Sequence, residues 1–361
     1  MKYFVCFVLA VSSLFARADR QFDVYVWQSW SGTSTLESLR SDFRLWKLHG
    51  VKGVCFNAGF NLEHIRLAAR AAHEEGLVFH AWIPCMLQNG LPKSWYAVNR
   101  LGKSALQAPA YVPYYTALDP HNAEVRQWLK SKYAEVAEIP EVDFVQLDYI
   151  RYVDVILAKG LWKKYNLVMN EEYAAADYCY CDDCVRDFQA KTGVDIRTVS
   201  NPAEDKAWAQ FRCDVVKSLV NEIADTVHHL GKKISADVFP GPYSHAYWMV
   251  RQEWNKWQLD AVFPMNYNDF YLEPAEWVGK VTKEEVCSMK DDVPVFSGLF
   301  ICRDWRNKKK IVDPEGHGLL PSELKNVVQD CRNAGAAGIC LFTSKSMTKA
   351  HWQALHEALK H

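Results

Sequence analysis

Several absences narrow this 361-residue chain before any residue is given a role. It has no long run of one charge sign, and its formal net charge is −1 at pH 7. That leaves no electrostatic footprint for nucleic acid or for an anionic membrane surface. No Gly-x-Gly-x-x-Gly follows a strand-like run, so a dinucleotide-binding fold has no support. A Gly-x-Ser-x-Gly elbow and paired His residues at ligand spacing are both missing, which argues against a serine esterase and a His-based metal site. Past the first residues no stretch is apolar enough to span a bilayer, and no low-complexity linker divides the chain. No metal or other cofactor is implied for the chemistry.

What is present is a hydrophobic fraction of 49%, enough for a large core, with 14 Trp and 17 Tyr. An aromatic surplus suits proteins that hold sugar rings, whose C–H faces pack on flat apolar surfaces, though it also suits any large core. Lys2, the apolar run Tyr3 to Val11 and Ala16-Arg17-Ala18 read as a secretory signal over residues 1–18, too short to span a bilayer. The expectation is a secreted or periplasmic protein whose mature chain, residues 19–361, is one domain. Of the 11 Cys, Cys6 falls in the signal, and Cys55, Cys85, Cys302 and Cys340 sit in or at the ends of strand-like runs as small hydrophobes. Only Cys179, Cys181 and Cys184 cluster. This Cys-x-Cys-x-x-Cys could bind zinc with a fourth ligand from elsewhere, or two of its sulfurs could pair, and in either case its role is structural.

Strand-like runs recur about eight times: 22–27, 53–57, 77–83, 142–147, 233–240, 260–267, 293–298 and 338–343. Helical spacing separates several of them, as in Leu36, Leu39 and Phe43, with Gly50 and Gly76 as stops. That cadence predicts a single (β/α)₈ TIM barrel, with long loops after strands 3 and 4, rather than an open sheet.

In such a barrel, chemistry collects at the carboxyl ends of the strands. The residues expected there include Trp27, Asn57, His80, Trp82, Asp148, Arg151, Asp237, Asn266 and Tyr267. Two carboxylates among aromatics and amides suit glycosidic bond cleavage, in which one acid protonates the leaving oxygen and another carboxylate meets the oxocarbenium-like carbon. Asp148 and Asp237 are the acids at the tips of neighbouring strands. Arg151 and Tyr149 would favour ionised Asp148, a nucleophile, while the apolar neighbours Ala236, Val238 and Phe239 would raise the pKa of Asp237, an acid/base. Blander readings stand beside these. Asp148 and Arg151 could simply close the strand as an ion pair, and Asp237 could cap a loop. His80 is either a sugar contact or a satisfied core residue, and Trp27 and Trp82 are either stacking platforms or packing. Asn266 and Tyr267 read as substrate contacts, with Asn57 a weaker one.

The run Leu118-Asp119-Pro120-His121-Asn122 with Val125-Arg126, followed by Leu147-Asp148-Tyr149-Ile150-Arg151-Tyr152, resembles the bacterial glycosyl-hydrolase-like barrel family often termed family 10-like, which is separate from the family 10 xylanases. Cys179 to Cys184 with Phe188, Ser235 to Phe239 and Pro264 to Tyr267 are similar to its later blocks. The resemblance implies a (β/α)₈ barrel, glycoside hydrolase activity on a carbohydrate substrate, and Asp148 as a catalytic carboxylate. Related amylase-like barrels carry a nucleophilic Asp on strand four and usually a Glu on strand five, where this chain has the shorter Asp237. Val153 stands where the family block often has Pro. Two rivals remain: a carbohydrate-binding barrel without catalysis, and a hydrolase that uses the substrate's own acetamido group.

Overall fold

The computed structural model of the chain describes residues 21–290, 292–307 and 317–360. The expected signal segment, with Cys6, lies outside the described residues.

The apolar runs form eight strands: β1 Asp23–Ser29, β2 Val51–Asn57, β3 Val78–Pro84, β4 Phe144–Asp148, β5 Lys233–Val238, β6 Ala261–Pro264, β7 Phe296–Phe300 and β8 Gly338–Phe342. All pair in parallel, in the order β6-β5-β4-β3-β2-β1-β8-β7. Parallel bridges Val262↔Val295 and Met265↔Gly298 join the two ends, so the sheet closes into a barrel.

Helices α1 Leu36–Leu48, α2 Leu62–Glu74 and α3 Ala123–Ala137 cover the first crossovers. Each starts at a side chain that accepts an otherwise unpaired N–H of its first turn: Thr35, Asn61 and Asn122. The crossover after β4 holds two helices, α4 Asp182–Thr192 and α5 Lys206–His229. Helices α6 Trp277–Ser288, α7 Pro321–Asn333 and α8 Lys349–Leu359 complete the ring. Sequence spacing had not marked α4 or α6. Between β5 and β6 the crossover contains only single turns rather than a full helix.

Alternation along the strands sends every second side chain inward. Tyr25, Cys55, His80, Phe144, Phe263, Phe296 and Cys340 fill the lumen, with edge-to-face rings such as Tyr25–Phe263 at 5.6 Å. The barrel is therefore a packed core, and any cavity must sit above this layer. Two long connections rise over the strand tips, as the sequence led us to expect. Residues 85–122 are ordered by the antiparallel bridges Leu87↔Ala117 and Tyr96↔Leu118, and Asn99↔Tyr178 ties that loop to the second one, 149–181. Among the described residues no helix is long and apolar enough to cross a membrane.

Candidate active site

Above the packed layer, the carboxyl ends of the strands open into a hollow of ≈ 440 Å³, within the roughly 300–1,000 Å³ usual for small-molecule sites. Its floor holds Asp148, Asp237, Trp27, Trp82, Tyr267 and Phe342, and the two long loops contribute Tyr111, Tyr115, Arg151, Asp154, Lys164 and Tyr165. A second hollow of ≈ 320 Å³, lined by Asp269, Glu273, Glu323 and Asp330, lies on the flank by α7, away from the paired acids.

The two acids come together through strand register. Leu147 lies opposite Ala236, so the next residues, Asp148 and Asp237, stand side by side on strands about 4.8 Å apart. Each has an indole donor. Trp82 Nε1 gives its hydrogen to Asp148 Oδ2 at 2.9 Å, and Trp27 Nε1 to Asp237 Oδ1 at 3.1 Å. Asp148 Oδ1 also accepts from the Tyr149 N–H at 2.7 Å. Tyr149 itself sits in the left-handed region (φ 49°), a conformation that a bulky residue adopts only when its surroundings impose it. Asp237 Oδ1 takes a second hydrogen bond from Gln146 Nε2 at 2.6 Å, whereas its Oδ2 is buried with no partner.

Burial raises both carboxyl groups above the ordinary carboxylate range. For Asp148 the hydrogen bonds from Trp82 and Tyr149, and the more distant Arg151, partly offset that rise. Asp237 goes much higher because the charge of Asp148 adds to burial, against only the Gln146 and Trp27 hydrogen bonds. The acids thus separate: as pH rises, Asp148 ionises first while Asp237 keeps its proton. Arg151 favours ionised Asp148 only as a more distant charge, without a direct ion pair to it. Arg151 Nη1 pairs instead with Asp154 Oδ2 at 2.8 Å, and its guanidinium lies over the rings of Tyr149 and Phe239 at 4.9 and 4.7 Å.

Six of the nine residues expected at the site line the hollow: Asp148, Asp237, Trp27, Trp82, Arg151 and Tyr267. Three do not, and their expected substrate contacts are corrected. His80 points inward but lies a layer lower, 1% exposed, stacked on Phe144 at 4.0 Å with Nδ1 3.0 Å from Ser235 Oγ. Burial takes its pKa down to about 3, so it is a neutral part of the core beneath the site. Asn57 turns its Oδ1 back to the Gly59 N–H at 2.9 Å, closing the bend after β2. Asn266 faces away from the lumen, donating to Ser297 Oγ at 2.8 Å and to Glu285 Oε2 at 3.0 Å. Burial lifts the pKa of Glu285 to about 8.

Gln146, Asp154, Lys164 and Tyr165 were not singled out from sequence. Gln146 is two residues before Asp148 on the same strand, so alternation would have placed it on the lumen face. The other three belong to the irregular loop after β4, where no periodicity shows direction.

No family model matches the sequence, and no curated protein matches it. Solved structures do resemble it in fold. The glycoside hydrolase domain of PgaB (BpsB) from Bordetella bronchiseptica superposes with a TM-score of 0.66 at 13% identity, covering 94% of this chain and 99% of that one. The catalytic domain of β-amylase from Paenibacillus polymyxa gives 0.62 at 11%, covering 94% and 98%. The spore cortex-lytic enzyme SleL of Bacillus cereus gives 0.54 at 10%, covering 94% and 74%. At these identities the likeness establishes the barrel fold and no more.

Proposed function

We propose that this protein is a secreted glycoside hydrolase that cleaves O-glycosidic bonds in a polysaccharide or glycan, with Asp148 as nucleophile and Asp237 as general acid/base. The observation that carries the reading is the unequal environment of two adjacent acids at the floor of an aromatic hollow. Asp237 is the acid pushed further toward its protonated form, and its Oδ2, which has no protein partner, is the oxygen from which a proton would pass to a leaving oxygen. Asp148, oriented by Trp82 and the Tyr149 N–H, supplies the negative charge. Register on adjacent strands favours the short carboxyl separation of a retaining pair, ~5–5.5 Å. Trp82, Tyr149 and Tyr165, which line the hollow and are only partly buried, offer flat faces for a sugar ring, and Arg151 with Asp154 offers polar contacts at its edge. Solved neighbours described as a glycoside hydrolase domain, a β-amylase and a cortex-lytic enzyme support glycan hydrolysis as the class. The Leu-Asp-Tyr-Ile-Arg-Tyr block supports kinship with the family 10-like barrels, and residues 1–18 support export.

A panel of chromogenic glycosides and polysaccharides, with product anomers followed by NMR, tests this reading. Hydrolysis with retained anomeric configuration is expected; inverted product would displace Asp148 from the nucleophile role. Activity restricted to N-acetylated sugars would favour the acetamido-assisted route. Binding without turnover across the panel would leave a carbohydrate-binding barrel.

A further inference from the structure

Away from the pocket floor, Asp119, Cys179, Cys181 and Cys184 converge, each offering a ligand atom, and these atoms all lie within 4.8 Å of one another. Zinc with sulfur ligands at about 2.3 Å needs sulfur–sulfur separations of roughly 3.8 Å around a tetrahedron, which this cluster reaches with small adjustments. We propose that these four residues form a structural site for a zinc-type divalent cation, and that the cation clamps together the two loops over the sugar pocket.

The local bonding holds the sulfurs in place. Three backbone N–H groups point at the sulfurs: Val98 and Cys181 donate to Cys179 Sγ at 3.4 Å, and Cys184 donates to Cys181 Sγ at 3.5 Å. Cys181 also caps the N-terminus of α4, where the helix dipole favours negative charge. Asp119 is 4% exposed and has no ion-pair partner among the described residues. Its Oδ1 accepts from the His121 N–H at 2.9 Å and lies 3.8 Å from Cys184 Sγ, while Oδ2 lies 2.8 Å from Cys181 Sγ. Both oxygens thus face the cluster, one of them oriented by the backbone as outer hydrogen bonds orient ligating carboxylates. The Tyr152 hydroxyl, buried without a partner, lies beside the same group. Arg212 and Arg197 hold the carbonyls of Tyr178 and Tyr180, on either side of Cys179, at 3.0 and 2.8 Å. A disulfide would use only two of the three sulfurs and leave Asp119, turned toward all of them, with no ligand role. Three soft thiolates and one carboxylate in a closed, buried setting match structural zinc rather than an open catalytic site.

The site's position gives it a purpose. Asp119 ends the loop that carries Tyr111 and Tyr115; the cysteines end the loop that carries Arg151, Tyr152, Asp154 and Tyr165. One cation would fix both.

Metal content of the purified full-length mature protein is the test, by elemental mass spectrometry. About one zinc per chain is expected, falling to near zero in Cys184→Ser. Should that variant fail to fold, cobalt reconstitution of chelator-stripped wild type still decides the matter: tetrahedral thiolate–cobalt absorption is expected. Asp119→Cys is expected to keep one metal per chain and shift that absorption, which a role confined to packing would not do. Metal-free protein that takes up neither zinc nor cobalt when reduced would overturn the proposal. So would a disulfide within Cys179, Cys181 and Cys184 in the non-reduced digest of the purified protein.

Discussion

Asp237 presents two unlike oxygens, and that difference is the basis of its proposed role. Oδ1 is held by Trp27 and Gln146, so the proton belongs on Oδ2, which faces no protein partner. Replacing Asp237 with Asn is expected to cut turnover by about 10²–10⁴-fold, the contribution usual for a general acid, read as kcat on the best substrate of the panel. The same change should stabilise the fold at neutral pH. Between the unfolded pKa and the raised folded value, the native state binds more protons than the unfolded one, so stability declines as pH rises through that window. Asn carries no such penalty, and Tm at pH 7–8 should rise while Tm at pH 4 changes little. Trp27→Phe probes the indole separately. Its N–H stabilises ionised Asp237, so removing it should move the alkaline limb of the pH–rate profile to higher pH. An unmoved limb would mean that another group controls it.

At the scale of elements, glycine and amide contacts set where the strand tips stand. A Cβ on Gly298 of β7 would meet Pro264 O at 2.6 Å and Trp27 Cη2 at 2.8 Å, so only glycine leaves room for the indole across the barrel mouth. Gly298→Ala is expected to cost about 1–3 kcal/mol in urea unfolding, and to lower kcat by displacing Trp27 from Asp237. Asn266 joins β6 to α6 and β7 through Thr282, Glu285 and Ser297. Asn266→Ala should cost a similar 1–3 kcal/mol, the approximate penalty of unpaired buried partners, while leaving KM nearly unchanged. A large rise in KM would restore Asn266 to the substrate site.

Alternation explains which parts of this arrangement were legible in sequence. Buried parallel strands read as apolar runs, so all eight were found, and their acid tips followed. With Ala261 and Phe263 inward, alternation sends Met265 and Tyr267 to the lumen and Asn266 outward, a distinction the tip position alone does not make. Depth was the other missing coordinate: His80 shares a face with Trp82 but lies one layer below it. Arg151 could be assigned to the tip but not to Asp154, because pairing in an irregular loop depends on tertiary folding that no short-range pattern encodes.

For the whole molecule, the barrel is a rigid packed cylinder, and the proposed activity sits where two long loops meet its open end. The proposed export rests on the signal-like sequence of residues 1–18, and mass spectrometry of the secreted protein should find a new N-terminus near Asp19; an intact Met1 in the exported form would contradict it. The loops are joined through Asn99↔Tyr178 and the Asp119–cysteine cluster. The central claim is that Asp148 and Asp237 act as a pair across one sugar-binding hollow. Its most direct test compares wild type with Asp148→Asn, measuring turnover on a cleaved glycoside and calorimetric affinity for the same sugar. Turnover is predicted to fall by about 10⁴-fold or more with affinity nearly unchanged. Undiminished turnover in the variant would contradict the account.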